Sequence, residues 1–154
     1  MPSVEEFIYV DAPPEAVYRY VADLRQHPRF APPNLKYVRP LTPFTDQPGA
    51  RAAVKIKVAG PFWQDGVIQL HALEPPNCVV AGPPDASNFM TRWTLMPEPP
   101  GTVVVAHTDF LPPAGGSGLG GLVGGRLETT LSRAYREALL RLKALVEHEV
   151  PPRR

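Results

Sequence analysis

Residues 126–150, RLETTLSRAYREALLRLKALVEHEV, carry the longest helical pattern in the chain. Leu127, Leu131, Ala134, Tyr135, Ala138, Leu142, Leu145 and Val146 recur at three- and four-residue spacing, which gathers them on one face. Arg126, Arg133, Arg136, Glu137, Arg141 and Lys143 fill much of the other side. The spacing predicts a long amphipathic helix, ended by Pro151-Pro152, with Leu131, Tyr135, Ala138 and Leu142 turned toward a core. A helix with one apolar face needs something to bury it, and the rest of the chain supplies it.

Upstream the period falls to two. Val54, Ile56 and Val58 alternate with Ala53, Lys55 and Lys57, and Ile68, Leu70 and Ala72 alternate with Gln69, His71 and Leu73. Cys78 to Ala81 reads as a short strand between two Pro-Pro pairs. Phe89 to Met96 and Thr102 to Phe110 read as a hairpin around a rigid loop, Pro97-Glu98-Pro99-Pro100-Gly101. At the start, Val4 to Val10 is a β-branched and aromatic strand. Pro13-Pro14-Glu15 then opens a helix whose stripe is Val17, Tyr20, Val21 and Leu24, and Asp23 can cap a second short turn that Pro28 stops. The expected order is strand, two short helices, further antiparallel strands, and one long helix. This is an α+β fold in which an antiparallel sheet of about seven strands curls around a single long C-terminal helix to bury its apolar face. One domain is expected over residues 1–150, with 151–154 as a short tail.

Composition narrows the function classes. A chain of 154 residues with 44% hydrophobic residues can bury a sizeable core. Sixteen basic against fifteen acidic residues leave a net charge of +1, which gives no field for nucleic acid. No apolar run reaches the ~18 residues of a membrane span. Met1-Pro2-Ser3-Val4-Glu5-Glu6 places acids where a secretion signal has bases, and the single Cys78 forms no internal disulfide, so a cytoplasmic protein is expected. Proline is the outlier at 21 residues, but seven Pro-Pro pairs fall at the ends of elements and act as punctuation.

Several motifs carry less than they promise. Gly116-Ser117-Gly118-Leu119-Gly120-Gly121 matches G-x-G-x-x-G, but a dinucleotide site needs a following parallel strand with an acid on it, and only one helix remains. The glycine-rich stretch 115–125 reads instead as a flexible lead into the last helix, either a gate or a linker. Position 119 is Leu, so no serine nucleophile elbow forms around Ser117. His148-Glu149 lacks the second histidine of a zinc motif, because position 152 is proline. His27, His71, His107 and His148 are dispersed. No metal site, no cofactor and no catalytic residue is assigned. His107 and Asp109 share a strand face, where a solvated surface is the simpler reading than a base and its orienter. Cys78, Trp63 and Trp93 read as packing residues.

The ordered set Asp11-Ala12-Pro13-Pro14-Glu15-Ala16-Val17-Tyr18, Val21-Ala22-Asp23, His27-Pro28-Arg29-Phe30, Leu73-Glu74-Pro75-Pro76, Arg92-Trp93-Thr94-Leu95 and Gly101-Thr102-Val103-Val104, with the final helix, resembles the START-like polyketide cyclase/dehydratase (SRPBCC) superfamily. The resemblance implies a helix-grip fold, with a hydrophobic cavity between the sheet and the C-terminal helix. It also implies members that bind lipids, polyketides or quinones and others that are cyclases. Periodicity leaves the inward face of 89–96 open, since Phe89, Trp93, Leu95, Val103 and Val105 make one face at least as apolar as the other. The resemblance favours Met90, Arg92, Thr94, Val104, Ala106, Thr108 and Phe110 inward, with Arg92 fixing the polar end of a ligand. Candidate ligand-binding residues are therefore Met90, Arg92, Thr94, Val104, Thr108, Phe110, Leu131 and Tyr135. The leading expectation is binding or carriage of a small hydrophobic ligand. The alternatives are a cyclase/dehydratase-type enzyme, or an interaction module that forms a homodimer through an outer apolar patch of Trp93, Leu95, Val103 and Val105.

Overall fold

The computed structural model describes residues 2–57, 61–86, 89–110 and 120–151. The chain runs β1 (Ser3–Val10), α1 (Pro14–Val21), a 3-10 turn (His27–Arg29), β2 (Leu35–Pro40), β3 (Arg51–Ile56), β4 (Gln64–Glu74), β5 (Cys78–Gly82), β6 (Phe89–Glu98), β7 (Gly101–Phe110) and α2 (Gly120–Glu149). The strands form one antiparallel sheet in the order β1-β7-β6-β5-β4-β3-β2, so β1 and β2 are its edges. The sheet curls around α2, which lies along β1. This is the helix-grip arrangement. The gate expected at 115–125 lies outside the described residues as far as 119, and α2 is helical from Gly120.

Local chemistry accounts for most of these boundaries. Pro14 sits in the first turn of α1 with Glu15 beside it, and Val17 and Val21 bury the inner face. Asp23 accepts the backbone N–H of Arg25 at 2.9 Å, and Gln26 N–H donates to the Asp23 carbonyl, so Asp23 opens a turn ahead of the 3-10 segment. Pro28 sits inside that segment instead of stopping it, because a proline in the first positions needs no N–H partner. Gly101 begins β7 where a Cβ would run into the Val10 carbonyl and the Tyr9 ring. The short strand β2 was not legible. Its alternation is limited to Leu35 and Tyr37, because the register shifts between Tyr37 and Arg39 and leaves Val38 in a bulge, 56% exposed.

The C-terminal half of α2 is clamped to the N-terminal elements. Leu142 and Val146 are fully buried. Arg29 grips the Glu149 carboxylate through both guanidinium nitrogens at 3.0 and 2.7 Å, and the Tyr20 hydroxyl donates to the same carboxylate at 2.7 Å. Lys143 reaches the Tyr9 carbonyl at 2.9 Å, and Asp11 N–H donates to Glu147 at 2.8 Å.

The face assignment of β6 needs correction. Its residues pair with β7 as Thr91↔Thr108, Arg92↔His107, Trp93↔Ala106, Thr94↔Val105 and Leu95↔Val104. Cross-strand partners share a face, so Thr91, Trp93 and Leu95 point inward beside Val104, Ala106, Thr108 and Phe110. Met90, Arg92 and Thr94 point outward, and Arg92 is exposed. The cause is the turn. A loop over Pro97–Gly101 would pair even-numbered residues of one strand with even-numbered residues of the next. The strands instead run on to Glu98↔Gly101 around a two-residue turn at Pro99-Pro100, and this swaps the parity of one strand. The outer patch changes with it. Trp93 and Leu95 leave it, and Phe7, Tyr9 and Met96 join Val103 and Val105.

Candidate functional site

Two adjoining chambers lie between the concave face of the sheet and the N-terminal half of α2. The larger, 260 Å³, is walled by Ile56, Phe110, Leu127 and Leu131 and opens past Gln64 and Asp65. The smaller, 40 Å³, is walled by His27, Phe30, Tyr37, Thr91 and Trp93. Pro32, Leu35, Ile68, Phe89 and Tyr135 belong to both. Each element contributes for a stated reason. The 3-10 turn held by Pro28 directs His27 and Phe30 inward, α2 presents every third or fourth residue, and the corrected register of β6 brings Thr91 and Trp93 to the wall.

The walls are chiefly aromatic. Phe30 meets Trp93 edge-on at 6.0 Å between ring centres, and Trp93 meets Tyr135 at 6.1 Å. His27 stacks at a tilt on Phe30 at 5.2 Å and meets Tyr37 edge-on at 5.8 Å. Polar atoms come in two groups. His27 Nε2 lies 2.6 Å from the Val21 carbonyl oxygen and Nδ1 lies 3.0 Å from the Tyr37 hydroxyl. A carbonyl only accepts, so Nε2 carries the proton, and in the neutral ring Nδ1 accepts from Tyr37. In the second group the Thr91 hydroxyl lies 2.9 Å from that of Thr108 and 2.7 Å from that of Tyr135.

Burial disfavours the charged form of each titratable member. It pushes His27 below the ordinary histidine value, against the Val21 hydrogen bond and the charge of Asp23. It raises the Tyr37 phenol, with the nearby Tyr135 adding to the effect. It raises Tyr135 too, against the hydroxyls of Thr108 and Thr91. The chambers therefore offer neutral hydrogen-bonding groups. Among the described residues that line them there is no lysine or arginine, and no group of three or more His, Cys, Asp or Glu residues is placed to hold a metal ion.

Of the residues expected to contact a ligand, Phe110, Leu131 and Tyr135 line the chambers. Thr108 stands one hydrogen bond behind the wall, and Val104 is fully buried but lines neither chamber. Met90, Arg92 and Thr94 are on the other side of the sheet. Sequence reasoning passed over His27, Tyr37 and Thr91. A lone histidine has no spacing partner, Tyr37 sits in the illegible β2, and Thr91 depended on the parity of the hairpin.

The family described as polyketide cyclase / dehydrase and lipid transport matches residues 1–147. The chain belongs to this family. The resemblance read from the sequence, and the helix-grip fold it implied, stand. Among solved structures, protein TTHA0849 from Thermus thermophilus superposes with a TM-score of 0.77 at 20% identity, covering 97% of this chain and 99% of that one. The Zhui aromatase/cyclase from Streptomyces sp. R1128 gives a TM-score of 0.73 at 19% identity, covering 97% and 95%. The polyketide cyclase-like protein Cgl2372 from Corynebacterium glutamicum gives 0.62 at 19%, covering 98% and 96%. These likenesses establish the fold. No curated protein matches the chain. Among the described residues of this family member, no helix is long and apolar enough to cross a membrane.

Proposed function

We propose that this family member binds or carries a small, largely apolar ligand in the paired chambers. The observation that carries the reading is an apolar cavity of 260 Å³ that shares five wall residues with a pocket where neutral hydroxyls converge. Ligand sites run from about 300 Å³ upward, so this one suits a compound of one or two rings rather than a long acyl chain. Calorimetric titration with naphthalene derivatives tests it, using Leu131→Trp to fill the larger chamber. Binding by the native chain and its loss in a folded Leu131→Trp variant are expected. Binding that survives the filled chamber rules the site out.

A second reading, a cyclase/dehydratase-type enzyme, draws support from the His27–Tyr37 pair, a base and an acid hydrogen-bonded at the cavity wall. Turnover of an enolisable chain that stops in His27→Asn would select it. The corrected outer patch supports the homodimer reading, with Phe7, 73% exposed, on the edge strand and paired to Val105. Sedimentation of Phe7→Glu beside the native chain tests that contact.

A further inference from the structure

The hydrogen-bond inventory of the chambers says more about the ligand than their volume does. Tyr37 has one hydroxyl proton, and His27 Nδ1 takes it, because Nε2 is committed to the Val21 carbonyl. Toward the cavity the Tyr37 oxygen is left as an acceptor. The Thr91 hydroxyl lies 2.9 Å from that of Thr108 and 2.7 Å from that of Tyr135, and the Thr108 hydroxyl also bears on the Tyr135 phenol, so the three can satisfy one another without a ligand. Tyr135 is the member that lines both chambers, so a ligand acceptor beside it orders the chain as Thr108 to Thr91 to Tyr135 to ligand.

Resting on the binding reading above, we propose that the site selects uncharged hydroxylated ring compounds, phenols and ring alcohols, over their ethers and over carboxylates. A hydroxyl donates one hydrogen bond and accepts another. That matches an acceptor at Tyr37 and a donor at Tyr135, both on the wall of the smaller chamber. The 40 Å³ of that chamber holds a hydroxyl and the edge of its ring, since one water-sized group needs ≳10–15 Å³, and the rest of the ring lies in the larger chamber. An ether fills the same space but brings no proton for Tyr37. A carboxylate brings no proton and a charge, and it meets no lysine or arginine among the described lining residues, with Asp65 at the opening. The outward placement of Arg92 is what turns the site away from acids.

The test is calorimetric titration of the full chain near neutral pH with naphthalene, 2-naphthol, 2-methoxynaphthalene and 2-naphthoate. The expected order places 2-naphthol about tenfold tighter than 2-methoxynaphthalene, because the ether accepts from Tyr135 but leaves the Tyr37 oxygen without a donor, with 2-naphthoate weakest. In Tyr135→Phe, checked for folding by its thermal melt, the naphthol and its ether should weaken together by a similar factor while naphthalene binding is unchanged. Equal binding of naphthol and ether to the native chain, or a preference for naphthoate, overturns the selectivity but leaves the cavity reading intact. Failure of all four to bind overturns the cavity reading and the proposal with it.

Discussion

The two halves of α2 face different interiors. From Ala138 onward the helix packs into a closed core. Leu142 and Val146 are fully buried, and ion pairs and hydrogen bonds from Arg29, Tyr20 and Asp11 fix that end to the N-terminal elements. From Leu127 to Tyr135 the same apolar stripe is buried too, but there Leu127, Leu131 and Tyr135 also line the larger chamber. One sequence pattern thus serves two purposes, and nothing in the stripe marks where one ends and the other begins. What differs is the opposing wall. The closed half meets Tyr20 of α1 and the Asp11 backbone, and the open half faces the chamber wall of Leu35, Ile56, Ile68 and Phe110.

The comparison breaks most visibly under truncation. Leu142→Ala should cost ~2–5 kcal/mol, because a buried leucine leaves a cavity its neighbours cannot fill. Leu131→Ala should cost less, toward ~2 kcal/mol, since it enlarges space already present. Chemical denaturation of both variants checks this. Equal losses would mean that the open half is a solid core.

Acid sharpens the contrast by acting on the two ends in different windows. The folded pKa of His27, at the open end, lies below its unfolded value of 6.5 because of burial. The unfolded chain therefore binds the proton first, and the stabilisation present above pH 6.5 is lost as pH falls below it. At the closed end the Arg29 and Tyr20 hydrogen bonds hold the Glu149 carboxyl down at about 2 from 4.5, and the Lys143 and Asp11 hydrogen bonds lower Glu147 despite burial. Their contributions persist above pH 4.5 and fade only below it, as pH falls toward those lowered values. Stability measured against pH should decline in two stages, and His27→Asn should flatten the upper one alone. A single decline below pH 4.5 would mean that His27 titrates freely.

The smallest effect belongs to Arg92. On the outer face, Arg92→Met should change stability by no more than about 0.5 kcal/mol and leave 2-naphthol binding unaltered. A loss of ligand affinity in that variant would return Arg92 to the cavity and undo the register of β6 and β7.

Much of the fold was legible because each element carries its own local signal. The helix at 126–150 shows its stripe, the strands show alternation, and the Pro-Pro pairs mark where elements stop. The site was legible only where it shared that signal, as at Leu131 and Tyr135 on the helix and Phe110 on β7. His27, Tyr37 and Thr91 meet from three separate elements, and no local spacing links a 3-10 turn, an edge strand with a bulge and a strand in the middle of the sheet.

The sequence by itself determined that one long amphipathic helix would be buried against an antiparallel sheet, because periodicity is a property of each segment and survives without its neighbours. Only the tertiary structure decided which face of β6 looks inward, where the helix stops packing and starts lining a cavity, and which hydroxyls meet there. A turn two residues long rather than five exchanges the faces of a whole strand, and both faces here are apolar enough to be the inner one. Hydrophobic pattern cannot separate such alternatives. The backbone pairing does, and it put Trp93 in the cavity and Arg92 in the solvent.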